Sequence, residues 1–117
     1  MEHLSKELIA ASTIPIVLSI LSQGDDYGYS IIKKVQAISD GELNWKEGSL
    51  YPVLSKLEKK KLISSYIKVE NGRNRKYYAI NEQGKGFLES LKSEWNLINQ
   101  TIAKLWKTEL GTSYVRI

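Results

Sequence analysis

The chain has 117 residues, enough for one compact domain with an appendage and too few for two ordinary domains. Hydrophobic residues make up 42% and charged residues 26%, which excludes a disordered chain. Cysteine is absent, which excludes disulfides, thiolate metal sites and cysteine nucleophiles, and which fits a reducing, cytoplasmic compartment. The net charge of +4 is unevenly placed, because residues 46–76 hold nine basic and three acidic side chains. Such a concentration is typical of a surface that meets phosphates, and a solvated lysine-rich face is the alternative.

The first predicted element is a helix within the uncharged stretch from Leu8 to Gly24. Apolar residues recur there at helical spacing, and Gln23-Gly24 ends the run. Polar residues interrupt the stretch, it is shorter than the roughly 20 apolar residues of a membrane span, and acidic residues follow it. We therefore predict a buried helix and no signal peptide. Pro15 is expected either to kink this helix or to mark a new start capped by Ser12 or Thr13.

Two further helices are predicted in the first half of the chain. The second runs from about Tyr27 to Ile38, with Asp25-Asp26 as acceptors for its first backbone N–H groups. The third covers roughly Lys46 to Lys61, after a short extended piece from Glu42 to Trp45.

The third helix has two faces in a helical projection. The apolar face consists of Leu50, Val53, Leu54 and Leu57, and the opposite face of Gly48, Tyr51, Pro52, Ser55, Lys56 and Lys59. Small residues permit close approach to a duplex, and lysines neutralise phosphates.

After the third helix the apolar period changes from helical to alternating, which predicts a β-hairpin. Residues 63–69 form the outgoing strand, Asn71-Gly72 is a strong turn signal, and residues 75–80 return. The tip offers several donors that suit phosphates better than bases: Arg73, Asn74, Arg75 and Lys76. Taken one by one, these residues are equally typical of ordinary solvated surface.

A long last helix is predicted from Glu82 to Leu110 behind an Asn81 cap, and Gly84 leaves a start near Phe87 open. It would be about 43 Å long, too long to fold within a compact chain of this size. Apolar residues recur along it at the spacing of a heptad seam: Leu88, Leu91, Trp95, Ile98, Ile102 and Leu105. A second copy of the chain is the simplest cover for this seam, and packing only on the chain's own first helix is the alternative.

The order of these elements is that of a winged helix-turn-helix carried on a long C-terminal dimerisation helix. The predicted fold class is therefore mainly α with a small β-hairpin (α+β). We expect a DNA-binding unit over residues 1–80 and a dimerisation helix with a short frayed tail over residues 81–117. In this fold the third helix enters the major groove, and the hairpin touches backbone or minor groove.

Three successive segments carry a family resemblance: YGYSI from Tyr27, EGSLYPVLSKLEKKKLI from Glu47, and RKYYAINEQGKGFL from Arg75. They resemble the signatures of the PadR family of transcriptional regulators, and the overall length resembles its small subfamily with a single C-terminal helix. Lys61 departs from the pattern, because a glycine is usual there. The resemblance implies a homodimeric repressor of a nearby transporter or stress-response promoter. It also implies that Ser49, Tyr51 and Lys56 contact DNA, with the hairpin tip supporting them.

The resemblance further implies an effector site. In some small members of the family an aromatic residue on the last helix lines a cavity between subunits that binds flat hydrophobic compounds. Trp95 falls at that kind of position, so a small aromatic or cationic effector is a further expected partner. A simple interface role for Trp95 is the alternative.

An enzyme and a protein-interaction adaptor are the two competing classes of function. No nucleophile and base can be paired, because the only histidine, His3, has no metal-ligand spacing and Asp25-Asp26 is better used as a cap. We therefore expect no catalysis, cofactor or metal. An adaptor built on the heptad helix leaves the basic hairpin unexplained. The prediction is two recognition helices that read half-sites about 34 Å apart, or a multiple of that, on a palindromic operator.

Overall fold

Four helices and a three-stranded antiparallel sheet make up the computed structural model, which describes residues 5–110. The elements in chain order are α1 (Lys6–Ser22), β1 (Asp26–Tyr27), α2 (Gly28–Ile38), α3 (Glu47–Lys59), β2 (Ile63–Glu70), β3 (Arg73–Ile80) and α4 (Glu82–Leu110). The predicted fold class is confirmed. The predictions made for His3 and for the tail from residue 111 onward lie outside the described residues.

α1 continues through Pro15 as one helix from Lys6 to Ser22. Ser12 and Thr13 do not start a new helix there. Their hydroxyls both donate back to the carbonyl of Ile9, at 3.1 and 2.7 Å, which is the bonding pattern of residues inside a helix. The structure therefore excludes a restart after these residues.

The two aspartates before α2 do not cap it, so that prediction is wrong. No side-chain hydrogen bond caps the first turn of α2, which begins at Gly28. Asp26 is instead buried in β1 and accepts from Lys34 Nζ at 2.7 Å, while Asp25 accepts from the hydroxyl of Tyr66 at 2.8 Å. Strand β1 has only two residues and exists because it pairs with β3, so no alternating pattern in the sequence could reveal it.

β2 and β3 form the predicted hairpin, here called the wing, over residues 63–80. Its two-residue turn places Asn71 and Gly72 at φ 51° and 74°, the geometry of a type I′ turn whose twist matches the strands. The sheet order is β1-β3-β2, so β3 is the central strand. Because opposed residues of antiparallel strands share a face, the register decides which wing residues point together.

α4 begins at Glu82 and not near Phe87. Asn81 Oδ1 accepts from the backbone N–H of Gly84 at 2.8 Å, as an N-cap residue does. Gly84 is buried, and a Cβ atom there would overlap the carbonyl oxygen of Leu62. The glycine that weakens the first turn is therefore required for the close approach of α4 to the start of β2.

Lys61 adopts a left-handed conformation at φ 62° in the turn between α3 and β2. This conformation favours glycine and costs other residues roughly 1–2 kcal/mol. Asn81 Nδ2 donates to the Lys61 carbonyl at 2.9 Å and helps to hold the turn. The turn between α3 and β2 therefore keeps the backbone geometry that a glycine would adopt, although lysine stands at this position.

The hydrophobic core lies where α1, α2, α3 and the base of the sheet meet, with the first half of α4 packed on α1. The Cα radius of gyration is 16.8 Å and the longest dimension 60 Å, against about 13 Å for the radius of a compact chain of this length. The second half of α4 therefore projects from the body, as predicted. Within residues 5–110 we find no helix with the length and apolar character that crossing a membrane requires.

Candidate nucleic-acid interface

The exposed face of α3 is the first part of the candidate interface. Leu50, Leu54 and Leu57 are buried, as the projection predicted, and Val53 is half-buried. The residues across from them are all exposed: Gly48, Ser49, Tyr51, Pro52, Ser55, Lys56 and Lys59. The structure thus brings the predicted α3 residues Ser49, Tyr51, Ser55, Lys56 and Lys59 onto one accessible surface.

Tyr51 is held in place by the start of α2. A Cβ atom on Gly28 would lie 2.5 Å from Tyr51 Oη, so only glycine lets the ring pack there. Burial and the nearby Glu47 carboxylate raise the pKa of Tyr51. Its hydroxyl therefore stays protonated at neutral pH and remains a hydrogen-bond donor.

One face of the wing looks toward α3. Ser65 on this face donates to Glu58 at 2.5 Å, which joins β2 to α3. The register places Asn74 and Lys76 on the same face, and Lys76 Nζ lies 5.6 Å from the centre of the Tyr78 ring. The exposed residues of this face near the tip are Ile67, Val69, Asn74 and Lys76.

Arg73 and Arg75 lie on the opposite face of the wing. Arg75 has only 25% of its side chain exposed, its guanidinium lies 4.6 Å from the centre of the Tyr27 ring, and its Nε lies 3.3 Å from Glu70 Oε1. The four predicted tip residues therefore divide into two pairs. Asn74 and Lys76 share the side of α3, and Arg75 is occupied by contacts within the chain.

A tyrosine cluster, consisting of Tyr27, Tyr66 and Tyr77, covers this outer face. The Tyr77 ring lies 5.2 Å from Tyr27 and 5.8 Å from Tyr66, between centres. Tyr77 donates to Glu70 at 2.8 Å, and this hydrogen bond raises the pKa of Tyr77 to about 12. The same bond, with help from Lys68, lowers the pKa of the Glu70 carboxyl. Sequence analysis missed the cluster, because its members meet only through the pairing of β1 with β3.

The cations on the α3 side differ in their surroundings from those on the outer face of the wing. No salt bridge within residues 5–110 involves Lys56, Lys59 or Lys76, whereas Lys68 and Arg75 both lie beside Glu70. Cations without a protein partner keep their full attraction for an external anion. The surface formed by α3 and the facing side of the wing therefore has the electrostatics of a polyanion-binding site.

The predicted heptad seam of α4 divides between two environments. Leu88 is 2% exposed in the chain's own core, Leu91 packs against that core, and Trp95 is half-buried beside α1. Ile98 and Leu105 are 53% and 63% exposed. The first half of the seam therefore packs on α1 of the same chain, which was the alternative, and its second half is left open.

The open part of α4, residues 97–107, here called the distal segment, also exposes two large apolar residues outside the predicted seam. Leu97 is 66% exposed and Trp106 is 51% exposed, while Ile102 is half-buried. Solvated helices seldom carry so many large apolar side chains together, so this segment is a second candidate surface.

Trp95 lines a groove of about 280 Å³ between α1 and α4. The lining residues are Pro15, Ser19, Leu88, Lys92, Trp95 and Asn96. The groove lies where the packed half of α4 gives way to the distal segment. Among the described residues, His, Cys, Asp and Glu side chains nowhere gather in a group of three that could hold a metal ion.

Comparisons with known proteins agree with this architecture. Residues 17–90 match the family described as "Transcriptional regulator PadR-like family". The chain is 33% identical over 87 residues to the transcriptional regulator YqjI of Escherichia coli, spanning 74% of this chain and 41% of that protein. A transcriptional regulator from Clostridium thermocellum superposes with a TM-score of 0.78 at 34% identity, over 85% of this chain and 97% of that one. A PadR family regulator from Clostridium difficile gives a TM-score of 0.71 at 37% identity, over 81% and 98%. The chain therefore belongs to the PadR-like family of transcriptional regulators.

Proposed function

We propose that this protein is a homodimeric, sequence-specific DNA-binding repressor. Its family regulates transcription and does not catalyse reactions, which implies DNA binding. The observation that carries the proposal is that Lys56 and Lys59 on α3 and Lys76 on the wing face that looks toward α3 are exposed and form no salt bridge within residues 5–110. Such a function is exercised where the chromosome lies, in the cytoplasm.

α3 would enter the major groove, with the wing beside it on the backbone or minor groove. Ser49, Tyr51, Ser55, Lys56 and Lys59 are the proposed contacts from α3. On the wing we assign direct contact to Asn74 and Lys76 first, because they face the side of α3. Arg73 would reach DNA only from the tip. Arg75 is proposed to act through the position of the wing, since it is held by Tyr27 and Glu70.

A second copy of the chain is the proposed cover for the distal segment. Its leucine, isoleucine and tryptophan side chains at positions 97, 98, 105 and 106 stay more than half exposed among the described residues. α1 offers the matching surface, because it is apolar on most sides and carries an open apolar groove of about 290 Å³ beside Pro15, Ile16 and Ile20. A helix that is apolar all round is normally buried, so α1 and the distal segment are the natural halves of one isologous interface.

Dimerisation would place two α3 helices on one side of a duplex. A twofold protein reads a palindromic site whose half-sites lie about 34 Å or a multiple apart. Occupying such an operator near a promoter blocks transcription, which is the proposed repressor action on a neighbouring transporter or stress-response gene.

The groove at Trp95 is the proposed effector site. It is partly lined by apolar side chains, and it lies between the α1-packed half of α4 and the segment that would meet the partner. A flat aromatic or cationic compound stacked on Trp95 would change the angle between the two α4 helices and with it the spacing of the recognition helices.

A salt titration tests the proposal. We expect the full chain to bind DNA from upstream of its own gene more tightly than a scrambled duplex, with log K falling steeply as log salt rises, about 0.9 per phosphate contacted. Addition of protein should reduce transcript from that promoter in vitro. A protein-interaction adaptor would bind neither duplex, and a flat salt dependence would contradict DNA recognition through phosphates.

A further inference from the structure

A groove of about 390 Å³ opens between the first turns of α1 and the recognition helix α3. Its lining residues are Lys6, Ile9, Ala10, Thr13, Ile14, Ser49, Val53 and Lys56. Both charged members of this set are lysines, one from each helix. Ser49 and Lys56 belong to the proposed DNA contacts, so the groove continues that surface onto α1, a helix that sequence analysis treated only as core.

The position of the groove along the circumference of α3 determines which part of a bound DNA duplex the groove would face. At 100° per residue, Ser49, Val53 and Lys56 lie on one flank of α3, and Tyr51 and Glu58 lie on the other. The second flank faces the wing and the start of α2, because Glu58 accepts from Ser65 and the partly exposed Tyr51 packs on Gly28. A helix in the major groove has one phosphate strand on each side. The wing serves one strand, and the groove between α1 and α3 lies toward the other.

We propose that this groove binds the phosphodiester backbone of the operator, with Lys6 of α1 and Lys56 of α3 contacting phosphates. Ile9, Ala10 and Val53 form an apolar floor suited to the sugar edge. The inference rests on the proposed DNA-binding function and adds Lys6 as a contact from outside the helix-turn-helix and the wing.

The local electrostatics of α1 give Lys6 no stabilising role within its own helix. It is the first residue of α1, where the positive end of the helix dipole disfavours a cation. The cap is supplied by Ser5, whose Oγ accepts from the backbone N–H of Leu8 at 3.2 Å. A nearby phosphate would turn this unfavourable charge into a favourable one. Lys6→Glu should therefore raise helix stability and weaken DNA binding at the same time.

The test compares Lys6→Ala and Lys6→Glu with Lys85→Ala, an exposed lysine of α4 outside the distal segment whose loss changes the net charge as Lys6→Ala does. Affinity for a palindromic promoter duplex is measured by fluorescence anisotropy at several salt concentrations. We expect Lys6→Ala to lower the slope of log K against log salt by about 0.9 and to weaken binding several-fold at low salt. Lys6→Glu should weaken it further while its melting temperature stays level or rises, and Lys85→Ala should keep the wild-type slope.

Two outcomes overturn the inference in distinguishable ways. If wild type binds with a steep salt slope and both Lys6 variants match Lys85→Ala, the groove is no phosphate site while the proposed function stands. If wild type itself binds no duplex, the proposed function fails and the groove assignment fails with it. Weaker binding by Lys6→Glu together with a lowered melting temperature would indicate misfolding, and it too would contradict the inference.

Discussion

The recognition helix α3 and the distal segment of α4 are both amphipathic, and both leave one face open, yet the open faces are chemical opposites. α3 exposes small and hydroxyl residues beside Lys56 and Lys59, whereas the distal segment exposes Leu97 and Trp106 with their apolar neighbours. An exposed cation costs little in water, but an exposed apolar cluster is unfavourable until something covers it. The two open faces therefore suit different kinds of partner: a polyanion for α3 and an apolar surface for the distal segment of α4.

The largest effect is expected when lysines are placed on the apolar face of the distal segment, which makes it resemble the exposed face of α3. In the double variant Ile98→Lys and Leu105→Lys, two charges would have to be buried at the dimer interface, at a cost of several kcal/mol. We expect the dimer to weaken by more than about a hundredfold, and specific operator affinity to fall with it. Sedimentation and anisotropy measure the two effects.

Lysine is chosen because it raises the net positive charge, which by itself would favour a polyanion. A loss of operator binding therefore cannot be ascribed to charge. Both side chains are more than half exposed in the single chain, so the helical content by circular dichroism should stay at the wild-type value. A double variant that remained dimeric would remove the distal segment from the interface.

A second double variant removes the two lysines Lys56 and Lys59 from the exposed face of α3. Lys56→Ala with Lys59→Ala should lower the salt slope by about two and weaken binding roughly tenfold, because each lysine neutralises about one phosphate. The dimer should be unaffected. Substituting the pair Lys85 and Lys92, which form ion pairs with glutamates on α4, gives the matched control with the same loss of charge. Equal slopes for both double variants would contradict the assignment of α3 as the DNA-contacting helix.

Much of this arrangement could be predicted from the sequence, because local periodicity determines which face of an element is apolar. The four helices and the hairpin all appear near their predicted positions, and the two faces of α3 are correct. The heptad pattern of α4 likewise identified an apolar stripe. It could not say which chain covers each part, so Leu88 was assigned to the dimer interface although it lies in the chain's own core.

The features that escaped prediction depend on contacts between distant residues. β1 exists only through its pairing with β3, and that pairing determines the surroundings of Asp26 and Arg75. The requirement for glycine at Gly84 comes from the approach of α4 to Leu62, which no local rule reveals. Sequence reasoning therefore found the surfaces and missed the contacts that hold the wing in position.

Trp95 lies where the packed half of α4 meets the distal segment, and a variant of this residue tests whether the adjoining groove binds an effector. If the α1–α4 groove is an effector site, proflavine, a planar aromatic cation, should bind wild type and bind Trp95→Ala up to about tenfold more weakly, through loss of one stacking contact. The fluorescence of the dye reports binding. Tyr29→Ala is the control, because that aromatic residue is exposed, lies outside the distal segment and does not line the groove. Equal dye affinity in wild type and Trp95→Ala would leave Trp95 with a packing role only.

A weaker effect is expected from a hydrogen bond within the wing, which joins Tyr77 of β3 to Glu70 of β2. The hydrogen bond to Glu70 raises the pKa of Tyr77 to about 12 from an ordinary 10.0, so the folded state favours the protonated phenol. The stability that this bond supplies is therefore complete below about pH 10 and is lost as pH rises toward 12. In Tyr77→Phe the bond is already absent.

The free energies of unfolding of wild type and Tyr77→Phe should accordingly converge as the pH is raised from about 9 to 12, as measured by urea denaturation. Tyr29→Phe, which removes an exposed hydroxyl, should differ from wild type by a constant amount over the same range. At neutral pH, Tyr77→Phe should weaken operator binding a few-fold and leave the salt slope unchanged, because the phenol joins the two long strands of the wing and is not one of the proposed phosphate contacts. A constant stability difference across the pH range would mean that the bond between Tyr77 and Glu70 does not stabilise the fold. In that case the tyrosine cluster would hold the wing by ring packing alone.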